Sequence, residues 1–428
     1  MNKSSRISAL TLVAGSLATT FALAPHAFAA DENWPSVADQ RGTHVLDRER
    51  PEYDAVGIHA GSFMIYPELA LGVTSDDNVF GTQNNSEGDI YYGVSPSVSI
   101  ESDFGRHELN FNGYTDSRFY SSDSSEDRFD WGVGVDGIIE VSQFTQIQAN
   151  AGYDELTEDR TSTNRVAGGI EPTEYDTFNV GITLNQRFNR LTASVGAQYT
   201  ENDYKDDTAI GGGVIDQDFR DHDKLEIPVR VSYDVSPDTS IFVAGSYNTR
   251  EYDQQPPAVA VNRDSDGYDV GVGAAFDFTN LIRGEAFVGY LSQEYDQAGF
   301  AKVDGIDFGL SGEWYASELT TVTASINRTV EESSTAASSG HLDTTFNVGI
   351  AHELQRNIIL SADASFLDVD FEGITREDET ISAGVAVQYL VNRNAELELG
   401  YDYTSRDSNA VGQDYDKNVV GLSLILKM

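Results

Sequence analysis

The sequence predicts an all-β fold: a transmembrane, antiparallel, up-and-down β-barrel of about 18 strands. Three observations predict it. From Gly61 to Met428, apolar residues alternate with small or polar ones at period two, in segments of about ten to fourteen residues with no helical window between them. The connections alternate in length, short and then long, as they do in outer-membrane barrels. Strands of that length, tilted by about 45°, match the apolar height of a bilayer, and downstream of the N-terminus no run of about 18 apolar residues offers a membrane helix instead.

Composition sets limits on function. The 428 residues carry 70 Asp and Glu against 27 Lys and Arg, a formal charge of -43. So acidic a surface repels a phosphate backbone, which excludes nucleic-acid binding. Acidic chains are often disordered, but 21 Tyr and 21 Phe are enough apolar material for an ordered structure. Cysteine is absent, so disulfides, thiolate metal sites and a cysteine nucleophile are excluded together.

Taken in order, the chain opens with Lys3 and Arg6 before an apolar stretch from Ile7 to Ala24, and the small-x-small triplet Ala27-Phe28-Ala29 precedes Asp31. Residues 1–29 therefore predict a secretory signal peptide, which places the mature chain outside the cytoplasm. Residues 30–60 are polar, carry Arg41, Arg48, Glu49 and Arg50, and predict a flexible periplasmic lead-in. Residues 61–428 predict the barrel. Its segments start near Phe63, Ile90, Glu108, Phe129, Thr145, Tyr175, Leu191, Leu225, Thr239, Gly267, Gly284, Ile306, Thr320, Thr344, Ile358, Thr380, Ala395 and Asn418. In one of them Tyr268, Val270, Val272, Ala274, Phe276 and Phe278 form a greasy face, while Asp269, Gly271, Gly273, Ala275 and Asp277 form a small or acidic one. Short connections include Asn189-Arg190 and Asn392-Arg393-Asn394; long ones include Arg160 to Glu174 and Lys205 to Asp218.

A propeller also repeats at about 40 residues, but each blade packs four short strands into that period, where this chain has two long ones. A soluble sandwich uses strands of about five or six residues and turns its charges outward. Both are the poorer match. In lipid every backbone amide needs a partner, so the sheet must close on itself, and at about 18 strands closure leaves an aqueous channel. An even strand count puts both termini on one side, which the short turns mark as the periplasm.

The inward phase carries Glu226, Asp234, Asp269, Asp277, Glu285, Asp307, Glu313, Asp363, Glu396, Glu398 and Asp402, opposed mainly by Arg187, Arg230 and Lys427. These are the candidate pore-lining residues. Carboxylates around a low-dielectric pore favour cations, so the expectation is a net-negative, cation-selective lumen. The inward aromatics Tyr91, Tyr114, Phe287 and Tyr315 are candidates for stacking on sugars. Tyr401, Tyr403, Phe276 and Phe278 predict interfacial girdles.

Nothing points to an enzyme, a cofactor or a metal site. With 70 carboxylates, acid pairs of the glycosidase type arise by chance proximity, and the histidines stand in no Ser-His-Asp pattern. Gly132-Val133-Gly134 lies inside a strand with no helix after it, so it is a small inward face and not a nucleotide loop. The acidic loops Ser122 to Asp127 and Asp264 to Gly267 lack the calcium-loop spacing and read as solvated.

The run Arg50-Pro51-Glu52-Tyr53-Asp54-Ala55-Val56-Gly57-Ile58-His59, with Gly61-Ser62-Phe63, Tyr66-Pro67-Glu68-Leu69 and Asp76-Asp77-Asn78-Val79-Phe80, resembles the entry region of an outer-membrane β-barrel porin family. Members of that family often accompany exopolysaccharide synthesis and export genes in Gram-negative bacteria. The resemblance implies a channel serving surface-polysaccharide export, with outer-membrane lipid, polysaccharide and periplasmic export components as partners. A general diffusion porin for small solutes and a structural or adhesive barrel with a closed lumen are the alternatives. One departure is visible: such barrels usually end on an aromatic residue, and this chain ends Leu426-Lys427-Met428.

Overall fold

The computed structural model describes residues 43–254, 261–278, 281–335 and 337–428; the signal peptide expected over residues 1–29 lies outside them. Among the described residues, nineteen strands join one sheet. Eighteen of them form the barrel: β1 Phe63–Asp76, β2 Asp89–Ser102, β3 Glu108–Tyr120, β4 Arg128–Ser142, β5 Thr145–Thr157, β6 Glu174–Phe188, β7 Leu191–Tyr204, β8 His222–Ser236, β9 Thr239–Tyr252, β10 Ser265–Phe278, β11 Ile282–Tyr295, β12 Val303–Ser317, β13 Thr320–Glu332, β14 Gly340–Gln355, β15 Ile358–Phe371, β16 Glu377–Asn392, β17 Ala395–Ser408 and β18 Tyr415–Lys427. The nineteenth is the short strand Ile58–Ala60.

Each barrel strand pairs antiparallel with the next, and β18 pairs with β1 from Glu68↔Lys427 to Asp76↔Val419. The sheet thus has no open edge, which is what a bilayer demands of spanning strands. The short strand turns at Gly61 (φ +68°) and pairs back on β1 at Ile65, Met64 and Phe63, next to the C-terminus along the same strand. The Gly57 amide then donates to the Met428 carbonyl at 3.2 Å, and the Met428 amide to the Pro67 carbonyl at 3.2 Å.

Outward side chains are apolar and exposed, with Val272 at 55% and Leu399 at 51%. That is the signature of a surface meant for lipid and not for water. Exposed aromatics mark both rims: Phe188, Phe278 and Trp314 near the short turns, Tyr92, Phe119 and Phe129 near the long loops. Before five short turns the register slips by one residue, at Glu140/Ser142, Asp234/Ser236, Tyr315/Ser317, Glu353/Gln355 and Leu390/Asn392. Bulges of this kind bend a strand at a barrel rim.

Candidate functional site

Register and contacts fix the inner wall. Arg230 on β8 holds Glu285 on β11 through two hydrogen bonds of 3.0 and 2.7 Å. Side chains three strands apart can meet only on the concave side of a closed sheet, and the same alternation puts all fourteen candidate residues on that side. Five of the eleven carboxylates have a cation within ion-pair distance. Glu285 has Arg230, Asp234 has Arg187 at 3.3 Å, Glu396 has Lys427 at 2.8 Å, Glu226 has Lys224 at 2.8 Å and Asp277 has Arg283 at 3.8 Å. For Asp269, Asp307, Glu313, Asp363, Glu398 and Asp402 no such cation stands among the described residues.

Lys224 and Arg283 escaped the sequence reading, although each lies two places before a candidate carboxylate on the same phase. Alternation alone would have found them. Lys224 and Arg283 offset two of the eleven carboxylates, and six of the candidates remain without a cation among the described residues. Two of these, Asp363 and Asp402, converge over Gly384, where a Cβ would lie 2.8 Å from an oxygen of each. Glycine at that position is what lets the two carboxylates flank one spot on the wall.

The inward aromatics divide. Tyr91 and Tyr315 are buried, which leaves no free ring face for a sugar. Phe287 packs against Phe242, whose ring is in turn covered by the Arg230 guanidinium at 3.6 Å. Tyr114 spends its hydroxyl on Asp154 at 2.9 Å. Stacking platforms are thus not what the inner wall presents.

Each mouth carries an inward segment. At the long-loop end, the connection from β5 to β6 crosses the opening. The Asn164 amide donates to the Glu332 carbonyl on β13 at 2.8 Å, and Arg406 on β17 donates to the Thr161 carbonyl at 2.7 Å. Eight strands separate β5 from β13 in a ring of eighteen, so the loop reaches nearly the opposite wall. Its base is fixed by charge: Arg160 grips Glu126 at 2.6 Å, Arg220 grips Glu158 at 2.8 Å and Arg128 meets Asp159 at 2.9 Å. All of these but Arg220 line a polar hollow with Tyr91, Arg118 and Lys417. Burial holds the Arg165 guanidinium on this loop below its usual range, with the Arg160 charge acting in the same direction.

At the short-turn end, residues 43–57 form a strap against the inside of the wall, where the sequence predicted a flexible lead-in. Val45 is fully buried among Ala351, Ile359 and Leu390, and its amide donates to Thr321 Oγ1 at 3.1 Å. Arg50 is buried too, donating to Glu353 at 3.0 Å and to the Val45 carbonyl at 2.8 Å. Arg356 and Arg393 reach over from two short turns to the carbonyls of Glu49 and Pro51 at 3.0 and 2.8 Å. The reason is physical: one apolar knob and one buried ion pair offset the entropy that a polar segment would otherwise keep.

In the loop Ser122 to Asp127, Asp123 caps Ser125, and Glu126 is held by Arg160. In the other acidic loop, Asp264 accepts the Tyr252 amide and Asp266 the Tyr247 hydroxyl. Asp206, Asp216 and Asp218 converge on the β7–β8 loop, exposed.

The chain matches the family described as "Putative beta-barrel porin 2" over residues 50–428. No curated protein matches it. Among solved structures it is similar to the siderophore receptor PiuA from Acinetobacter baumannii, at 13% identity over 87% of this chain and 82% of that one, with a TM-score of 0.45. It is similar also to OpdO of Pseudomonas aeruginosa, at 13% identity over 86% and 98%, TM-score 0.45. OpdK of the same organism, solved with vanillate, matches at 10% identity over 85% and 99%, TM-score 0.44.

Proposed function

The chain belongs to the family described as "Putative beta-barrel porin 2", an outer-membrane barrel of porin type, and we propose that it is a cation-preferring channel that serves the export of a surface polysaccharide. The observation that carries the channel reading is a closed sheet, apolar outside, on whose inner wall six of the eleven candidate carboxylates have no cation partner among the described residues. Such a wall attracts cations, repels anions and admits a neutral or cationic polymer more readily than a strongly anionic one. Export is supported by the resemblance of residues 50–80 to a family that accompanies exopolysaccharide genes. In this reading the strap faces the periplasm, where export components would meet the chain, and the long loops face outward.

Deleting the gene and weighing cell-bound and released polysaccharide tests the cargo. Loss of the surface polymer, restored by the wild-type gene, supports export; an unchanged polymer together with slower uptake of small solutes would make the protein a diffusion porin. The inward segments at both mouths favour one further reading, a structural or adhesive barrel with a closed lumen. Absence of any conductance in planar bilayers would establish that instead.

A further inference from the structure

The inner wall is not uniform. From β2 to β7, one register row runs Ser99, Asn112, Gly134, Gly152, Asn179 and Thr200, six neighbouring strands without a charged side chain. On β5, Gln146, Gln148 and Asn150 fill consecutive inward places, and Asn112 and Asn150 are exposed to the interior. The nearest carboxylates on this side are engaged: Asp136 by the Asn110 amide at 2.9 Å and Asp154 by the Tyr114 hydroxyl at 2.9 Å. The unpaired carboxylates Asp269, Asp307, Glu313, Asp363, Glu398 and Asp402 all stand on β10 to β17.

Glycine shapes the amide face. A Cβ on Gly134 or Gly181 would lie 2.5 Å from the carboxamide oxygen of Asn112 or Asn150, and one on Gly152 would lie 2.8 Å from Asn179 Nδ2. The carboxamides lean over bare backbone and stay close to the wall. Nearer the short turns, Gln146 and Asn185 are register partners, 5% and 2% exposed. Gln146 Oε1 and Asn185 Nδ2 have no hydrogen-bond partner. Buried amide atoms rarely stay unanswered.

We propose that this amide face is a binding track for neutral, hydroxyl-rich solutes, that is, uncharged oligosaccharides. A carboxamide offers a donor and an acceptor side by side, and a hydroxyl needs both. An anion finds no counter-charge here, since the nearest charges are the carboxylates Asp136 and Asp154, and an ether or an alkyl chain leaves the donors unmatched. The inference rests on the channel reading and gives it a substrate class and a wall.

The probes are maltohexaose, an oligogalacturonate of equal length and a polyethylene glycol of equal size, added to the full-length protein in planar bilayers. Maltohexaose is expected to interrupt the current with residence times about tenfold longer than those of the glycol, the difference that one or two hydrogen bonds make. The triple variant Asn112→Leu, Asn150→Leu, Asn179→Leu should abolish that difference; the triple alanine variant serves where leucine blocks assembly. Equal residence times for sugar and glycol, or longer ones for the anionic oligomer, would overturn the track. Calorimetric titration of maltohexaose in detergent separates the two proposals. Binding heat that the triple variant lacks, from a protein without conductance, would sustain the track and overturn the channel.

Discussion

Val272 is apolar and 55% exposed, a combination that only lipid makes favourable. Val272→Arg, or the same change at Leu399, should cost about 2 to 4 kcal/mol of folding free energy where these side chains meet the midplane. The inward control is Asn150→Arg and not Gly271→Arg, because a Cβ on Gly271 would sit 3.0 Å from the Val288 carbonyl oxygen and add a steric cost of its own. Folding titrations into lipid vesicles measure both, and equal losses would reverse the assignment of the two faces. A second residue reports on pH. Asp221, outside the spanning strands, is raised to about 7 by burial, which outweighs the Tyr204 amide bonded to it, with Asp203, Asp218 and Asp253 adding repulsion. The folded loop thus holds a proton that the unfolded chain releases near pH 4. The resulting stabilisation is complete below about pH 4 and is lost as pH rises through about 7. Amide exchange over the β7–β8 loop, corrected for intrinsic rates, should therefore accelerate from pH 5 to pH 8. Asp221→Asn keeps an acceptor for Tyr204 and should remove the acceleration; the same response in the variant would assign it to another group.

At the scale of elements, the strap makes a claim that a protease can check. Arg48 is a cleavage point for trypsin, whereas Arg50 is followed by Pro51 and resists it, and seating shields Arg48 in the folded barrel. Val45→Asp would place a carboxylate among Ala351, Ile359 and Leu390, forfeiting about 1.5 kcal/mol of burial and adding a desolvation penalty. The variant should be cut quickly at Arg48 while the barrel stays whole, and equally rapid cleavage of the wild type would show that the strap is not seated. The sequence carried the strands unevenly, and the pattern is instructive. Strands that follow short turns begin where alternation places them, at Phe63, Glu108, Thr145, Leu191, Thr239, Thr320, Ile358 and Ala395, with β11 the exception, beginning at Ile282 and not Gly284. Strands that follow long loops begin earlier than alternation shows, at His222 and not Leu225, at Gly340 and not Thr344. Beyond the lipid the ladder continues through polar residues such as Asp223, whose outward position no longer needs to be apolar. Hydrogen bonding sustains those turns of sheet, and hydrophobic periodicity is blind to them. The inward loop and the strap were illegible for a related reason: they are polar segments anchored by single long-range contacts, such as Asn164 to Glu332, that leave no periodic trace. The inward positions could be read from the sequence because a strand's two faces alternate away from the bulges at the rim, whereas the amide face on the same phase carries no charge to mark it.

For the molecule as a whole, two polarities are superposed: apolar outside against polar inside, and within the interior an amide-rich third, β2 to β7, against the longer arc β8 to β18, which holds all eleven candidate carboxylates. The second polarity determines what passes. Ion pairs such as Arg230–Glu285 are locally neutral and contribute little field, whereas Asp363 on β15 and Asp402 on β17 are uncompensated and converge across Gly384 on β16, with Glu398 on the same strand as Asp402. Neutralising Glu396 has a different consequence, since it leaves Lys427 without its carboxylate and shifts the local balance by the same unit charge at a site that began neutral. The reversal potential of the reconstituted channel under a salt gradient tests the central claim most directly. Cation selectivity is expected, weakening at high salt as the Debye length falls to about 3 Å, and the triple variant Asp363→Asn, Glu398→Gln, Asp402→Asn should lose much of it. Anion selectivity in the wild type, or a reversal potential untouched by the triple variant, would show that the conducting path does not run along the acidic arc of this barrel.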